Sequence, residues 1–216
     1  MNGERNRRRQ VLAAVAAVVL AWLGYGFYQI FTAPEGFRSF FVSGGAGRGT
    51  ADIGGAFDLV DQHGKTRTDG GFRGQLMLVF FGYTHCPDVC PIGLQTMTDA
   101  LTELGEAGNV VRPIFITVDP ARDTPERLNE YAANFHPRLV ALTGSEEQIA
   151  RVAKAYRVYY AKAKPKDGAH GGHDHGDYLM DHSSFLYLMG ADGRYLTHFP
   201  SNVSAADLLA GLKRYI

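Results

Sequence analysis

The chain has no excess of charge. Its 216 residues carry 22 basic and 22 acidic side chains. The first 36 hold four Arg and two Glu, which leaves 18 basic and 20 acidic residues beyond them. A near-neutral chain without a basic run argues against nucleic acid as a partner. No internal repeat is present. No cysteine lies near residue 20, which rules out a lipoprotein anchor, and no Ala-x-Ala-like site directly follows the N-terminal apolar stretch, which disfavours its removal as a secretory signal. The few residues ahead of that stretch leave no room for a mitochondrial import signal, which would be a separate amphipathic, Arg- and Ser-rich segment. Cysteine is scarce: there are two, Cys86 and Cys90, four positions apart.

That apolar stretch runs from Val11 to Phe31, with no charge and one strongly polar side chain, Gln29. At 1.5 Å per residue, about 20 residues span roughly 30 Å of hydrocarbon. Arg5, Arg7, Arg8 and Arg9 precede it, against one acid, Glu4. The positive-inside rule then predicts residues 1–10 in the cytoplasm, a single transmembrane helix over 11–31, and everything after Thr32 outside. Trp22, Tyr25, Phe27, Tyr28 and Phe31 crowd its outer half, as interfacial anchors do. The expected address is a bacterial inner membrane, with the C-terminal domain in the periplasm. Residues 32–52, rich in Gly, Ser and Ala, are expected to be a linker, and the folded domain to occupy 53–216.

Within that domain the pattern alternates strand and helix. Phe57–Val60 and Lys65–Thr68 flank Asp61-Gln62-His63-Gly64, a hairpin signature with Gly at the tight position. Leu76–Phe81 is a continuous apolar run, the mark of a strand buried on both faces. Leu94, Met97, Leu101 and Leu104 recur at helical spacing. Val110–Val118 is a second buried strand. Thr124-Pro125-Glu126 opens a helix with Leu128, Tyr131 and Phe135 on its apolar face. Leu139–Leu142 is a short strand, and Ser145 with Gln148 forms a capping box ahead of Ile149, Val152 and Tyr156. Ser184–Met189 and Tyr195–Phe199 flank the turn Ala191-Asp192-Gly193, and Ser204 caps a last helix. A buried strand feeding a helix at a dithiol, with a C-terminal hairpin closed by a helix, predicts an α/β, thioredoxin-like fold. The front hairpin is an N-terminal extension of it, and extra helix and strand enlarge its middle.

Both thiols lie where the strand ending at Phe81 turns into a helix. Unpaired N–H groups and the helix dipole favour thiolate there. Read as i and i+4 on one helical face, the two stand about 6 Å apart at Cβ. That suits a shared soft metal ion, and it also allows a disulfide, whose Cα separation is about 4.4–6.8 Å. Two buried structural thiols are the plainer alternative, against which Pro87, Asp88 and Pro91 argue for a turn. In an oxidising compartment the pair tends to a disulfide unless something keeps it reduced or metal-loaded. His182 stands where a polar loop enters an apolar strand, and an imidazole there could complete a three-coordinate site. Two thiolates and an imidazole suit copper, the sulfurs holding Cu(I) and the nitrogen helping to retain Cu(II), whereas zinc wants a fourth ligand. On spacing alone, a lone histidine is more often structural than a ligand.

Tyr83-Thr84-His85-Cys86-Pro87-Asp88-Val89-Cys90-Pro91, Val118-Asp119-Pro120-Ala121-Arg122-Asp123-Thr124-Pro125-Glu126 and Asp177-Tyr178 through Asp181-His182 together resemble the Sco/SenC proteins. These are membrane-anchored, thioredoxin-like copper-binding proteins that help assemble the copper centre of cytochrome c oxidase subunit II. The resemblance covers Ile53 to Ile216, with three motifs in order, plus the anchor. It implies Cys86, Cys90 and His182 as metal ligands and copper, Cu(I) or Cu(II), as the bound metal. The implied partners are subunit II and other periplasmic copper chaperones or thiol reductases. Asp119 and Asp123 match acidic positions of the second motif; Asp119 either approaches the metal site or fixes the turn before Thr124. Arg122 is expected to pair with Asp123 or another nearby acid, and His85 to be a neighbour of the site, not a ligand. His63, His136 and His198 are expected to be ordinary. His170, His173 and His175, in a Gly-rich stretch that departs from the family pattern, either capture Cu(II) or Zn(II) weakly or form a solvated insertion.

Two functions compete. One is a copper chaperone; the other is a thiol–disulfide oxidoreductase that reduces the cysteines of the apo-oxidase, with Cys86 and Cys90 as its redox-active pair. Three residues between the thiols, where the redox motif has two, favour copper, as does His182, which disulfide exchange does not need. A thiol peroxidase fits poorly, because the position three before Cys86 is Tyr83 where that family's nucleophile follows Thr or Ser.

Overall fold

The structure, a computed structural model, describes residues 52–163 and 178–216 together with Tyr25. The chain divides into two compact units, residues 1–49 and 50–216. Apart from Tyr25 and Asp52, the expected cytoplasmic end, anchor and linker lie outside the described residues, as do His170, His173 and His175. Among the described residues no helix is long and apolar enough to cross a membrane.

The second unit is built on a seven-stranded sheet. Its strands are β1 (Asp58–Asp61), β2 (Thr66–Thr68), β3 (Leu76–Gly82), β4 (Val111–Thr117), β5 (Val140–Thr143), β8 (Phe185–Met189) and β9 (Tyr195–Pro200), in the order β2-β1-β5-β4-β3-β8-β9. β3, β4 and β5 run parallel, and the other pairings are antiparallel. The helices are α1 (Val89–Leu104), α2 (Pro125–Ala132), α3 (Glu146–Ala155) and α4 (Ala205–Leu212). This is the expected alternation, with the front hairpin added to the edge at β5. Gly64 and Gly193 turn the two hairpins with φ of 76° each, a backbone region that glycine enters without steric cost.

All seven residues of β3 are buried, as its continuous apolar run requires. Alternation along the strand sends neighbours to opposite faces. Phe80 faces α1, where a Cβ at Gly93 would stand 3.1 Å from its ring. It also meets Phe115, whose ring reaches Tyr131 of α2. Phe81 packs on Tyr156 at the end of α3, ring centres 5.2 Å apart. So α1 and α2 share one face and α3 covers the other. Right-handed crossovers impose that division: β3-α1-β4 and β4-α2-β5 step the same way, and α3 returns the chain past β3 to β8. Thr124, Ser145 and Ser204 cap α2, α3 and α4 as predicted, and Ser145 with Gln148 makes the full capping box.

A second, two-stranded sheet was not foreseen. β6 (Tyr160–Lys162) and β7 (Met180–His182) pair antiparallel and belong to no other sheet. With three alternating residues each, these strands are too short to stand out by periodicity.

Candidate metal centre

The carboxyl ends of adjacent parallel strands are where an open α/β sheet presents its loops to a ligand. Here β3 ends at Gly82 and leads into Cys86 and Cys90; β4 ends at Thr117 and leads into Asp119 and Asp123. The dithiol is arranged differently from the single helical face expected. α1 begins at Val89, so Cys90 lies in its first turn, but Cys86 precedes the helix in the turn. The prolines explain this. Pro91 is tolerated in the first turn, where its missing N–H would find no helical partner, and Pro87 disfavours helix at the residue before it, Cys86. The consequence is chemical. Cys86 sits off the helix N-terminus and accepts the Cys90 N–H at 3.4 Å from its sulfur.

Cys90 is fully buried and Cys86 half-buried. The space for the Cys90 sulfur comes from Gly82: a Cβ there would lie 2.6 Å from that sulfur and 2.9 Å from Phe115. A hydrogen bond from Cys90, above all, lowers the Cys86 thiol to about 3, helped by His182 and the Asp88 and Cys90 amides against the cost of burial. The same bond and burial push Cys90 up, so it keeps its proton. Both cysteines are free thiols.

His182, the last residue of β7, reaches across to complete the group. Its Nε2 is 3.5 Å from the Cys90 sulfur. Its Nδ1 lies 3.1 Å from the Ser183 carbonyl oxygen; a carbonyl only accepts, so Nδ1 carries a proton, and Nε2 is the nitrogen that faces the sulfurs. The ligand atoms of Cys86, Cys90 and His182 all lie within 4.8 Å of one another. Sulfur and nitrogen stand about 2.0–2.3 Å from a small soft ion such as zinc, so ligands around one ion lie within roughly 4.6 Å of each other. The three residues therefore fit one metal ion with little adjustment. Among the described residues no fourth His, Cys, Asp or Glu joins them.

The second motif supports this centre without entering it. Asp123 is fully buried. Its carboxylate accepts from the Thr84 amide at 3.0 Å and from the hydroxyls of Thr84 and Thr117, each at 2.6 Å. It thereby ties the loop after β3 to the end of β4. Thr84 gives its proton to Asp123, so its oxygen is the acceptor facing His85 Nδ1 at 3.1 Å; His85 turns to Asp123 and away from the sulfurs. Of the two expectations for Asp119, the structure takes the structural one. It pairs with Arg122, Nε to Oδ2 2.5 Å, and its other oxygen accepts the Tyr178 hydroxyl at 2.6 Å. Arg122 pairs with Asp119, and Asp123 is left to the threonines. His136 accepts the Arg138 amide, and His198 stacks on Tyr195 with the Phe185 ring edge-on to it.

Sequence reasoning gave no role to Tyr83 or Tyr178. Tyr83 sets its ring edge-on to His182, centres 5.9 Å apart, and its hydroxyl accepts the Met180 amide at 3.2 Å. Tyr178 was visible only as part of the third motif. His182 stands just ahead of the apolar strand β8, as expected, but it closes the separate β6–β7 ribbon where a loop was expected.

Fold and site together define a thioredoxin-like protein with a dithiol–imidazole centre suited to a soft metal. The chain belongs to the SCO1/SenC family, whose model matches residues 45–216. It is similar to a SCO2-like protein of Rickettsia prowazekii, with 43% identity over 157 residues, 73% of this chain and 74% of that one. Among solved structures it is similar to copper-bound ScoI of Bradyrhizobium japonicum, at 44% identity, covering 76% of this chain and 99% of that chain with a TM-score of 0.67. It is also similar to BsSco, a member of the Sco family of cytochrome c oxidase assembly proteins in which a disulfide switch has been identified. There the identity is 28%, the cover 77% and 95%, and the TM-score 0.57.

Proposed function

We propose that this protein binds copper through Cys86, Cys90 and His182 and matures the copper centre of cytochrome c oxidase subunit II by delivering the metal. The observation that carries the reading is the convergence of two thiols and one imidazole within 4.8 Å. Two soft sulfurs satisfy Cu(I), and the added nitrogen favours Cu(II). The copper-bound state of B. japonicum ScoI, a relative at 44% identity, supports the metal, and the family of BsSco supports the process. Transfer needs access. Cys86 and His182 open into a groove of about 1050 Å³, whose lining includes the exposed Val89 and Leu179. The anchor Val11–Phe31 and the arginines before it support a single-pass protein of a bacterial inner membrane with this domain in the periplasm. Confinement to the plane of the oxidase would raise the effective concentration of donor at acceptor.

A second reading rests on Cys86. A thiolate at neutral pH, free and half-exposed beside a second thiol, is also the nucleophile of disulfide exchange, and BsSco has a disulfide switch. One experiment separates the two. The copper-loaded full chain is mixed with an apo oxidase copper domain, in reduced or disulfide form. Metal moving to the reduced acceptor is the expected result. Thiol exchange with the oxidised acceptor and no metal movement would establish the reductase instead.

A further inference from the structure

His182 reaches the sulfurs on a ribbon that the main sheet does not hold. β6 and β7 pair over three residues each and make no ladder to the seven-stranded sheet. A lone two-stranded ribbon is at best marginal in water, so its position depends on what fastens it. Tyr160 and Met180 pack partly against the core. Close packing does not complete the job: a cleft of about 220 Å³ remains between ribbon and domain, lined among others by Val118, Asp119, Glu146, Tyr160, Lys162 and Tyr178.

The remaining fastening is polar and specific. Tyr178, two residues before β7, gives its hydroxyl proton to Asp119 at 2.6 Å. The Arg122 guanidinium, paired with the same carboxylate, lies 3.6 Å from the centre of the Tyr178 ring. Lys162 of β6 adds a second cation 4.3 Å from that ring. Asp119 is almost wholly buried and its amide donates to Thr117 at the end of β4. The anchor point is therefore rigid, and cation–π contact adds to the hydrogen bond there. A second tie, Met180 N–H to the Tyr83 hydroxyl, joins the ribbon to the loop that carries Cys86. Burial first, then Asp119, raise the Tyr178 hydroxyl above its ordinary range, so it stays a donor.

We infer that Tyr178, held by Asp119 and Arg122, is a positioning residue that sets how closely His182 approaches the two sulfurs. It makes no hydrogen bond or ring contact to Cys86, Cys90 or His182; its contacts are Asp119, Arg122 and Lys162. It acts through the four-residue reach of backbone from 178 to 182, as groups that orient a ligand do. The two thiols are placed without it, by β3, α1 and Asp123. So the latch governs the nitrogen and leaves the sulfurs alone.

The inference rests on His182 being a ligand, and the experiment separates the two. In the full chain, Tyr178→Ala is expected to weaken Cu(II) about tenfold in chelator competition, as loss of a ligand's support typically does, and to leave Cu(I) unchanged. In the copper-free, reduced protein it is expected to speed hydrogen exchange at the Met180 and Ser183 amides. Tyr178→Phe keeps the ring over Arg122 and loses only the bond to Asp119. It should fold whether or not the alanine variant does, and show smaller changes in the same two readouts. His182→Ala is the control: if it fails to weaken Cu(II), the ligand assignment has failed, and amide exchange alone then decides the latch. Wild-type exchange and wild-type Cu(II) affinity in both Tyr178 variants overturn the inference. So does equal loss of both oxidation states with a lower melting temperature, which marks a merely structural residue.

Discussion

The centre is assembled from two regions built on different terms. The dithiol half grows from β3, buried along its whole length, and its loop is tied by a buried carboxylate that accepts three hydrogen bonds. The imidazole half sits on a three-residue strand outside the main sheet, held by a tyrosine, an arginine and a few partly buried contacts. One half is part of the core; the other is fastened to it. Under the proposed function, a donor that must hold metal and then release it would gain from such a division, because two soft sulfurs would retain Cu(I) without the nitrogen, while Cu(II) would depend on the fastened half.

The sharpest break removes a sulfur. Cys90→Ala should abolish tight copper binding in either oxidation state, since one thiolate and one imidazole no longer satisfy Cu(I). Chelator competition measures it, and retained stoichiometric Cu(I) would show that the metal sits elsewhere. Next comes the floor of the dithiol half. Gly82→Ala places a Cβ 2.6 Å from the Cys90 sulfur and 2.9 Å from Phe115. Overpacking of this kind costs about 1–3 kcal/mol. Urea unfolding should show that loss, and both copper states should weaken together because the sulfur itself must move. Wild-type affinity for Cu(I) would mean that the sulfur position matters less than the buried floor implies.

His182→Ala addresses the fastened half. Cu(II) should weaken far more than Cu(I), and the melting temperature of the copper-free protein should hardly change, because the half-exposed ring supports little of the core. Equal loss of both states would erase the distinction between the halves. The mildest probe separates the thiols themselves. With Cys86 lowered to about 3 and Cys90 raised, Cys86 is thiolate throughout the range from pH 5 to 8. Its alkylation by iodoacetamide in the reduced, copper-free protein should be flat over that range. An ordinary thiol with a pKa near 8.5 would speed up several-hundredfold across it. A tenfold rise per pH unit at Cys86 would show that the helix terminus and Cys90 do not hold the charge.

Much of this was legible from local pattern. The run Leu76–Phe81 carries the mark of a strand buried on both faces, the Ser145–Gln148 box marks a helix start by its own chemistry, and Gly64 and Gly193 mark turns by their freedom at positive φ. Three motifs in order carried the family resemblance, and with it the pairing of a distant histidine with the dithiol. Periodicity and capping act over a few residues, so the sequence displays them directly. Tertiary structure decided the rest. Pro87 and Pro91 bound the start of α1, but only the folded turn shows Cys86 lying off the helix end where an amide meets its sulfur. Asp119 and Asp123, four residues apart, took unrelated tasks because one faces Tyr178 just ahead of a distant ribbon and the other faces Thr84 in the loop after β3 and Thr117 at the end of β4. The ribbon itself, and Tyr178 as its fastening, depend on contacts between residues about 60 positions apart. Such contacts arise from packing and direction in space, which no local spacing encodes.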